Sequence, residues 1–188
     1  MRSSRNASRI SGICSQHVAN KVFGFAGWSG SGKTTLMERV IAHLAGQGVR
    51  VALIKHAHHA FDVDQPGKDS WRHRAAGATE VLISSANRWA LMHELRGEPE
   101  LTLKQAVSRL SPCDLVLIEG FKREAMPKLE IWRAELGKPL LFADDSNILG
   151  LISDDTLPIS LREPSMARFG LAQVAEIAAF VMHHSRAL

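Results

Sequence analysis

Gly27-Trp28-Ser29-Gly30-Ser31-Gly32-Lys33-Thr34 has the spacing of a phosphate-binding loop: Gly, four variable residues, then Gly-Lys-[Ser/Thr]. The chemistry this spacing offers is anion capture. Glycines at 27, 30 and 32 let the backbone curl so that successive N–H groups point at one oxyanion. Lys33 would face the β- and γ-phosphates as a point charge, and the Thr34 hydroxyl would join the oxygen shell of Mg²⁺. The expected nucleotide-binding residues are Gly27, Ser29, Gly30, Ser31, Gly32, Lys33, Thr34 and Thr35. Lys33 is also a candidate catalytic residue, since its charge would stabilise negative charge building on the β–γ bridge.

Further along the chain, Asp114-Leu115-Val116-Leu117-Ile118-Glu119-Gly120 is a buried-strand pattern that ends on an acid. Ligands bind outside the carboxyl ends of strands in open α/β sheets. Glu119 stands at that end and is the expected Mg²⁺ or water-positioning acid, with Gly120 letting the backbone approach the terminal phosphate. A polar stretch from Lys55 to Ser70 adds His56, His58, His59, Asp62 and Asp64. Asp62 and Asp64 are two residues apart, point the same way in an extended segment, and could share the Mg²⁺ shell. His56, His59, Lys68, Asp69, Arg72 and Lys122 are candidate contacts to substrate or partner. Lys122 or Arg123 could neutralise a phosphate or a pterin phosphate tail. Asp154, at the end of another apolar run, is a candidate acceptor for guanine N1 and N2, although the Asn/Thr-Lys-x-Asp signature of typical GTPases is absent.

The elements that must hold these residues follow from hydrophobic period. Val22 to Ala26 reads as a buried strand, and Leu36, Val40 and Leu44 share one face of a helix that starts just past Gly32. Strands are expected at Val49–Ile54, Thr79–Ser84, Arg88–Glu94, Asp114–Ile118, Leu129–Trp132, Leu140–Phe142 and Ile148–Ile152. Helices are expected from Asp69, as its cap, to about Ala76, from a Thr102/Gln105 capping box to about Leu110, and from Leu171 to about His184. Strands alternating with helices predict an α/β fold with a mostly parallel central sheet.

A chain of 188 residues suits one domain. Its net charge is +4, of which Arg2, Arg5 and Arg9 supply three units in a stretch without acids. Residues 1–20 are therefore expected to be a disordered basic tail, and 21–188 the single nucleotide-binding domain. The nearly neutral body excludes a nucleic-acid binder held by a broad basic face. No apolar stretch is long enough to span a membrane. Two distant cysteines suggest no disulfide framework, consistent with a reducing, cytoplasmic setting.

Taken together these residues resemble the protein B family of molybdopterin-guanine dinucleotide biosynthesis, from about Val22 to Asp154. The resemblance rests on Gly27 to Thr35, Ile54-Lys55-His56 with His59, Asp62 to Ser70 with its Pro66-Gly67-Lys68-Asp69-Ser70 core, Ala76-Gly77-Ala78, and Leu117 to Lys122. Trp71 departs from the expected Tyr. The resemblance implies a P-loop NTPase fold of three layers (α/β/α), GTP with Mg²⁺ as ligands, slow hydrolysis, and a homodimer. It implies an accessory role in attaching GMP to molybdopterin or passing the cofactor to apo-molybdoenzymes, with the molybdenum cofactor nucleotidyltransferase as partner. No arginine finger can be assigned, which fits slow turnover. Two other readings share the scaffold: a metallochaperone GTPase using His56, His58 and His59, and a small-molecule kinase with Lys68 to Arg74 as its lid.

Overall fold

The computed structural model describes residues 20–57, 61–156 and 166–188. The proposed tail, His58 and His59 lie outside the described residues, apart from Asn20.

The fold is built on five-residue apolar runs that alternate across a sheet. Strand β1 (Lys21–Ala26) and strand β5 (Leu115–Glu119) pair in parallel, and their side chains point in turn to opposite faces. Phe23, Phe25, Leu115 and Leu117 point to the face covered by helix α1 (Lys33–Gly46) and helix α4 (Val174–His184), where they meet Leu36, Val40, Leu44, Ile177 and Val181. Val22, Val116 and Ile118 point to the other face and meet Leu103 of the short helix α3 (Leu103–Ser108), together with Met126. Both faces of the central strands are thus buried, which explains why they read as unbroken apolar runs.

The other strands of the main sheet are β2 (Val51–Lys55), β6 (Lys128–Ile131), β7 (Ile148–Ile152) and β8 (Ala167–Phe169). Their order is β2-β5-β1-β6-β7-β8, all neighbours parallel, and β9 (Arg186–Ala187) pairs antiparallel with the start of β1. The carboxyl ends of β1, β2 and β5 therefore open on the same edge, and that edge carries the site. Gly24 in mid-β1 has a packing reason: a Cβ there would stand 2.8 Å from Met126 Cε and 2.9 Å from Lys128 Cγ.

The segments around Thr79–Ser84 and Arg88–Glu94 are strands β3 (Glu80–Ser84) and β4 (Trp89–His93), as expected, and they form an antiparallel hairpin of their own outside the main sheet. Three expectations change. Leu140–Phe142 is not a strand. The buried Glu130 carboxylate accepts the backbone N–H groups of Leu141 (2.8 Å) and Phe142 (3.0 Å), which takes the donors a ladder would use. Asp69 does not cap a helix; it is the first residue of α2 (Asp69–Ala75), whose N-cap is Lys68. The last helix begins at Val174, because Leu171 N–H is bonded to the Asp154 carboxylate instead of entering the helix. The Thr102/Gln105 capping box is formed as expected. Among the described residues, no helix is long and apolar enough to cross a membrane.

Candidate functional site

Residues 27–32 leave the tip of β1 and enter α1 through a loop that only glycine permits at its key points. Gly27 has φ +144°, and a Cβ on it would stand 2.4 Å from the Ile131 carbonyl oxygen of β6. Gly30 and Gly32 have φ +84° and +90°, in the left-handed region closed to most side chains. Gly32 is the N-cap of α1, so the unpartnered N–H groups of the first helical turn open into the loop.

Lys33 lies across this loop. Its ammonium donates to the Trp28 carbonyl at 2.7 Å and lies 3.5 Å from Ser31 Oγ. Its pKa is lowered, first by burial, with Glu119 pulling it back up and the nearby Lys122 and Lys55 adding to the depression. A group of ammoniums crowded at a helix N-terminus is a field that favours a polyanion.

The acid at the end of β5 is where the reading of the strand placed it. Thr34 Oγ1 donates to Glu119 Oε1 at 3.2 Å, and Lys55 Nζ lies 3.4 Å from Glu119 Oε2. Hydroxyl and carboxylate oxygens side by side are the hard donors Mg²⁺ takes, and Mg²⁺ usually keeps waters and phosphate oxygens as its other ligands. Thr34 and Glu119 therefore fit the ion. They open on a cleft of about 660 Å³ lined by the loop, Lys55, His56, Gly120 and Lys122.

Several participants were not legible in the sequence. Trp28 lines the cleft: its ring has Lys122 Nζ at 4.6 Å and Lys138 Nζ at 5.8 Å from the centroid, and its indole N–H donates to the Pro139 carbonyl at 2.8 Å. Arg133, just past β6, donates to the Ser31 carbonyl at 3.3 Å and holds the outer side of the loop. Lys128 is fully buried, with its ammonium on the Asp145 carboxylate and on the Lys122 carbonyl at 2.7 Å, so it fixes the segment after Glu119 from beneath. A lysine opposite an aspartate seventeen residues away leaves no periodic mark; the only signal is a lysine inside an otherwise apolar strand.

Other expected site residues go elsewhere. Asp62 and Asp64 do not face the phosphate loop, and the structure does not place them in the Mg²⁺ shell. Both carboxylates are bound by the Arg74 guanidinium, which also reaches Glu94 at 2.5 Å. The spacing did put the two acids on the same side, but around a cation of the chain itself. Three carboxylates hold the Arg74 charge more firmly than in water, and Arg74 in turn lowers the pKa of Asp64. Arg74 is thereby tied down rather than poised as a kinase lid. Asp69 and Arg72 line a separate exposed depression with Trp71, and Lys68 sits exposed at the start of α2. His56 does line the cleft, but its Nε2 is 2.7 Å from Glu100 Oε1 and its ring lies tilted against Phe121. Among the described residues, no group of three or more His, Cys, Asp or Glu is placed to hold a metal. Asp154 follows β7 as expected, with its Oδ1 accepting Leu171 N–H at 2.8 Å, so it ties the loop after β7 to the loop after β8. It does not line the phosphate cleft.

A parallel sheet in this order, with a glycine loop leaving its central strand and an acid at the tip of the next, defines the P-loop NTPase-like class of α/β proteins. Residues 22–154 match the family of molybdopterin guanine dinucleotide synthesis protein B. The chain is 42% identical over 161 residues to the molybdopterin-guanine dinucleotide biosynthesis adapter protein of Escherichia coli K12, covering 84% of this chain and 89% of that one. It is 40% identical to the Haemophilus influenzae adapter protein of the same description, covering 87% of this chain and 90% of that one. A crystal structure of molybdopterin-guanine biosynthesis protein B superposes with a TM-score of 0.66 at 27% identity, covering 86% of this chain and 98% of that one. Bacillus subtilis MobB shares the fold with a TM-score of 0.67 at 24% identity, covering 88% of this chain and 98% of that one. The chain belongs to the molybdopterin guanine dinucleotide synthesis protein B family.

Proposed function

We propose that this protein is a GTP-binding adapter in molybdopterin-guanine dinucleotide biosynthesis, with at most slow GTPase activity. The observation that supports it best is the arrangement around the loop: Lys33 spans it, and Thr34 and Glu119 stand 3.2 Å apart at its mouth. In this reading the loop amides and Lys33 take the β- and γ-phosphates, and Thr34 and Glu119 hold Mg²⁺ directly or through water. Bound there, the ion would spread the charge of the β–γ bridge. Lys55 Nζ, 3.4 Å from Glu119 Oε2, orients that carboxylate. Arg133 donates to the Ser31 carbonyl of the loop, and among the described residues no arginine lines the cleft, so hydrolysis stays slow. Asp154, at the end of β7, keeps its proposed role as guanine acceptor.

The partners in this reading are the molybdenum cofactor nucleotidyltransferase, a molybdopterin-type ligand and apo-molybdoenzymes. A homodimer is also proposed. Its support is the β3–β4 hairpin, which exposes Leu82, Ile83, Trp89 and Leu91 on a part of the chain that the core does not use. Calorimetric titration with GTP, ATP and GDP, with and without Mg²⁺, tests the reading. One Mg²⁺-dependent GTP per chain, with weaker ATP, supports it; no nucleotide binding removes it.

A further inference from the structure

Beside the phosphate cleft lies a second cavity of about 540 Å³, within the size range of small-molecule sites. His56 and Lys122 line both. The second cavity lies on the far side of Gly120 from the loop, where β2 and β5 end next to each other. In the proposed nucleotide pose this is the γ-phosphate end.

The wall between the two is built at some conformational cost. Gly120 has φ +98°, and a Cβ there would stand 2.8 Å from His56 Cβ. Phe121, which follows, is a non-glycine residue at φ +48°, an uncommon backbone state that persists only where its surroundings hold it. The result is a Phe121 ring on the His56 imidazole, centroids 4.6 Å apart and planes tilted by 34°. Two supports hold that wall. Lys128 grips the Lys122 carbonyl from the core, and His56 N–H donates to the Glu119 carbonyl at 2.8 Å.

The lining has a definite chemistry. Phe121, His56 and Leu101 give flat and apolar surface, Arg123 gives a cation, and Lys122 lines the wall shared with the first cleft, its ammonium 4.6 Å from the Trp28 ring centroid. Glu100 and Glu124 give carboxylate acceptors. A flat ring system carrying N–H donors, with a phosphate on a short arm, meets all three. We infer that this cavity binds a phosphorylated pterin, next to the terminal phosphate of the nucleotide held in the first cleft. This rests on the proposed function for the identity of the ligand, and on the cavity itself for its place. Lys122 and His56, shared by both compartments, would let each ligand sense the other.

The test uses the full chain and 6-(phosphooxymethyl)pterin, followed by its own fluorescence, with GTP binding measured separately by calorimetry. Leu101→Trp fills the cavity from its exposed rim, and Arg123→Ala removes an exposed cation. The expected result is one phosphopterin per chain in the native protein, weakened at least about tenfold in each variant, with GTP affinity changed less than about twofold. Lys33→Ala should show the opposite pattern, losing GTP and keeping the phosphopterin. Loss of the phosphopterin site alone would leave the GTP reading standing, and loss of GTP binding alone would leave the cavity standing. The inference is overturned if the native chain does not bind the probe, if both variants bind it as well as the native chain, if GTP displaces it one for one, or if inorganic phosphate competes as well as the phosphopterin.

Discussion

Replacing Lys128 with Met should destabilise the protein and loosen the site together. Lys128 is fully buried, and its ammonium is shared by the Asp145 carboxylate and the Lys122 carbonyl. Removing one partner of a buried pair costs about 3–5 kcal/mol, because the remaining charge is left without compensation. Asp145 retains two donors from Asn147, both at 2.9 Å, and is not fully buried, so the lower end applies, about 3 kcal/mol. For a domain of this size that corresponds to a fall of about 6–12 °C in Tm. The sign of the pH dependence follows from Asp145. Burial pushes its carboxyl pKa up, but hydrogen bonds from Lys128 and Asn147 outweigh that and hold it below the ordinary value. Such a group stabilises the fold above the ordinary carboxylate range and loses that contribution as pH falls through the lowered native value. The gap between native protein and variant should therefore be widest near neutrality and close in acid. Urea denaturation at several pH values measures it. The double variant Lys128→Met with Asp145→Leu, which removes both charges, should recover most of the loss. A single-variant change under about 1 kcal/mol at neutral pH would refute the reasoning, as would a gap that does not narrow in acid.

Three further outcomes are expected. Gly27→Ala, whose Cβ would sit 2.4 Å from the Ile131 carbonyl oxygen, must displace either the loop or β6, and GTP binding measured by titration should fall at least about tenfold; binding within twofold of native would show that the loop tolerates a side chain there. Lys33 has a lowered pKa, so between that value and the ordinary one the unfolded chain holds a proton the native site lacks, and stability of the free protein should rise with pH through that interval. Bound triphosphate restores the ammonium, so GTP binding should take up protons in that alkaline range, seen as a dependence of the calorimetric heat on buffer ionisation; equal heats in all buffers would contradict it. Glu119→Gln should weaken Mg²⁺-dependent GTP binding and leave Tm nearly unchanged, since the Glu119 carboxylate faces the cleft rather than the core; an unaltered Mg²⁺ titration would remove Glu119 from the ion's shell.

The sequence revealed the parts of the site that are contiguous. The loop from Gly27 to Thr35 is one run with one local requirement, positive φ and free amides, and its strand and helix carry clear periods. Glu119 was legible for the same reason, as the polar end of an apolar strand. What was hidden is what arises when distant segments meet. Lys55 reaches Glu119, Lys122 and Lys138 approach Trp28, and Arg133 reaches Ser31, all across the sheet edge. Asp62 and Asp64 show the opposite failure. Paired acids read alike whether they will hold a metal ion or an arginine, and Arg74 lies ten residues beyond Asp64, in an element that local pattern cannot orient. Leu140–Phe142 misled because three apolar residues carry no period, and the strand reading could not anticipate that Glu130 would occupy two of the backbone donors. The β3–β4 segments were recognisable as strands; their separation from the main sheet is a matter of topology, which strand propensity does not encode.

The most direct measurement is a crystal structure of the protein with a non-hydrolysable GTP analogue and Mg²⁺. The account predicts the β- and γ-phosphates within the 27–35 loop, Lys33 between them, and the ion beside Thr34 and Glu119. A nucleotide bound elsewhere, with that loop unchanged and Lys33 still on the Trp28 carbonyl, would contradict it.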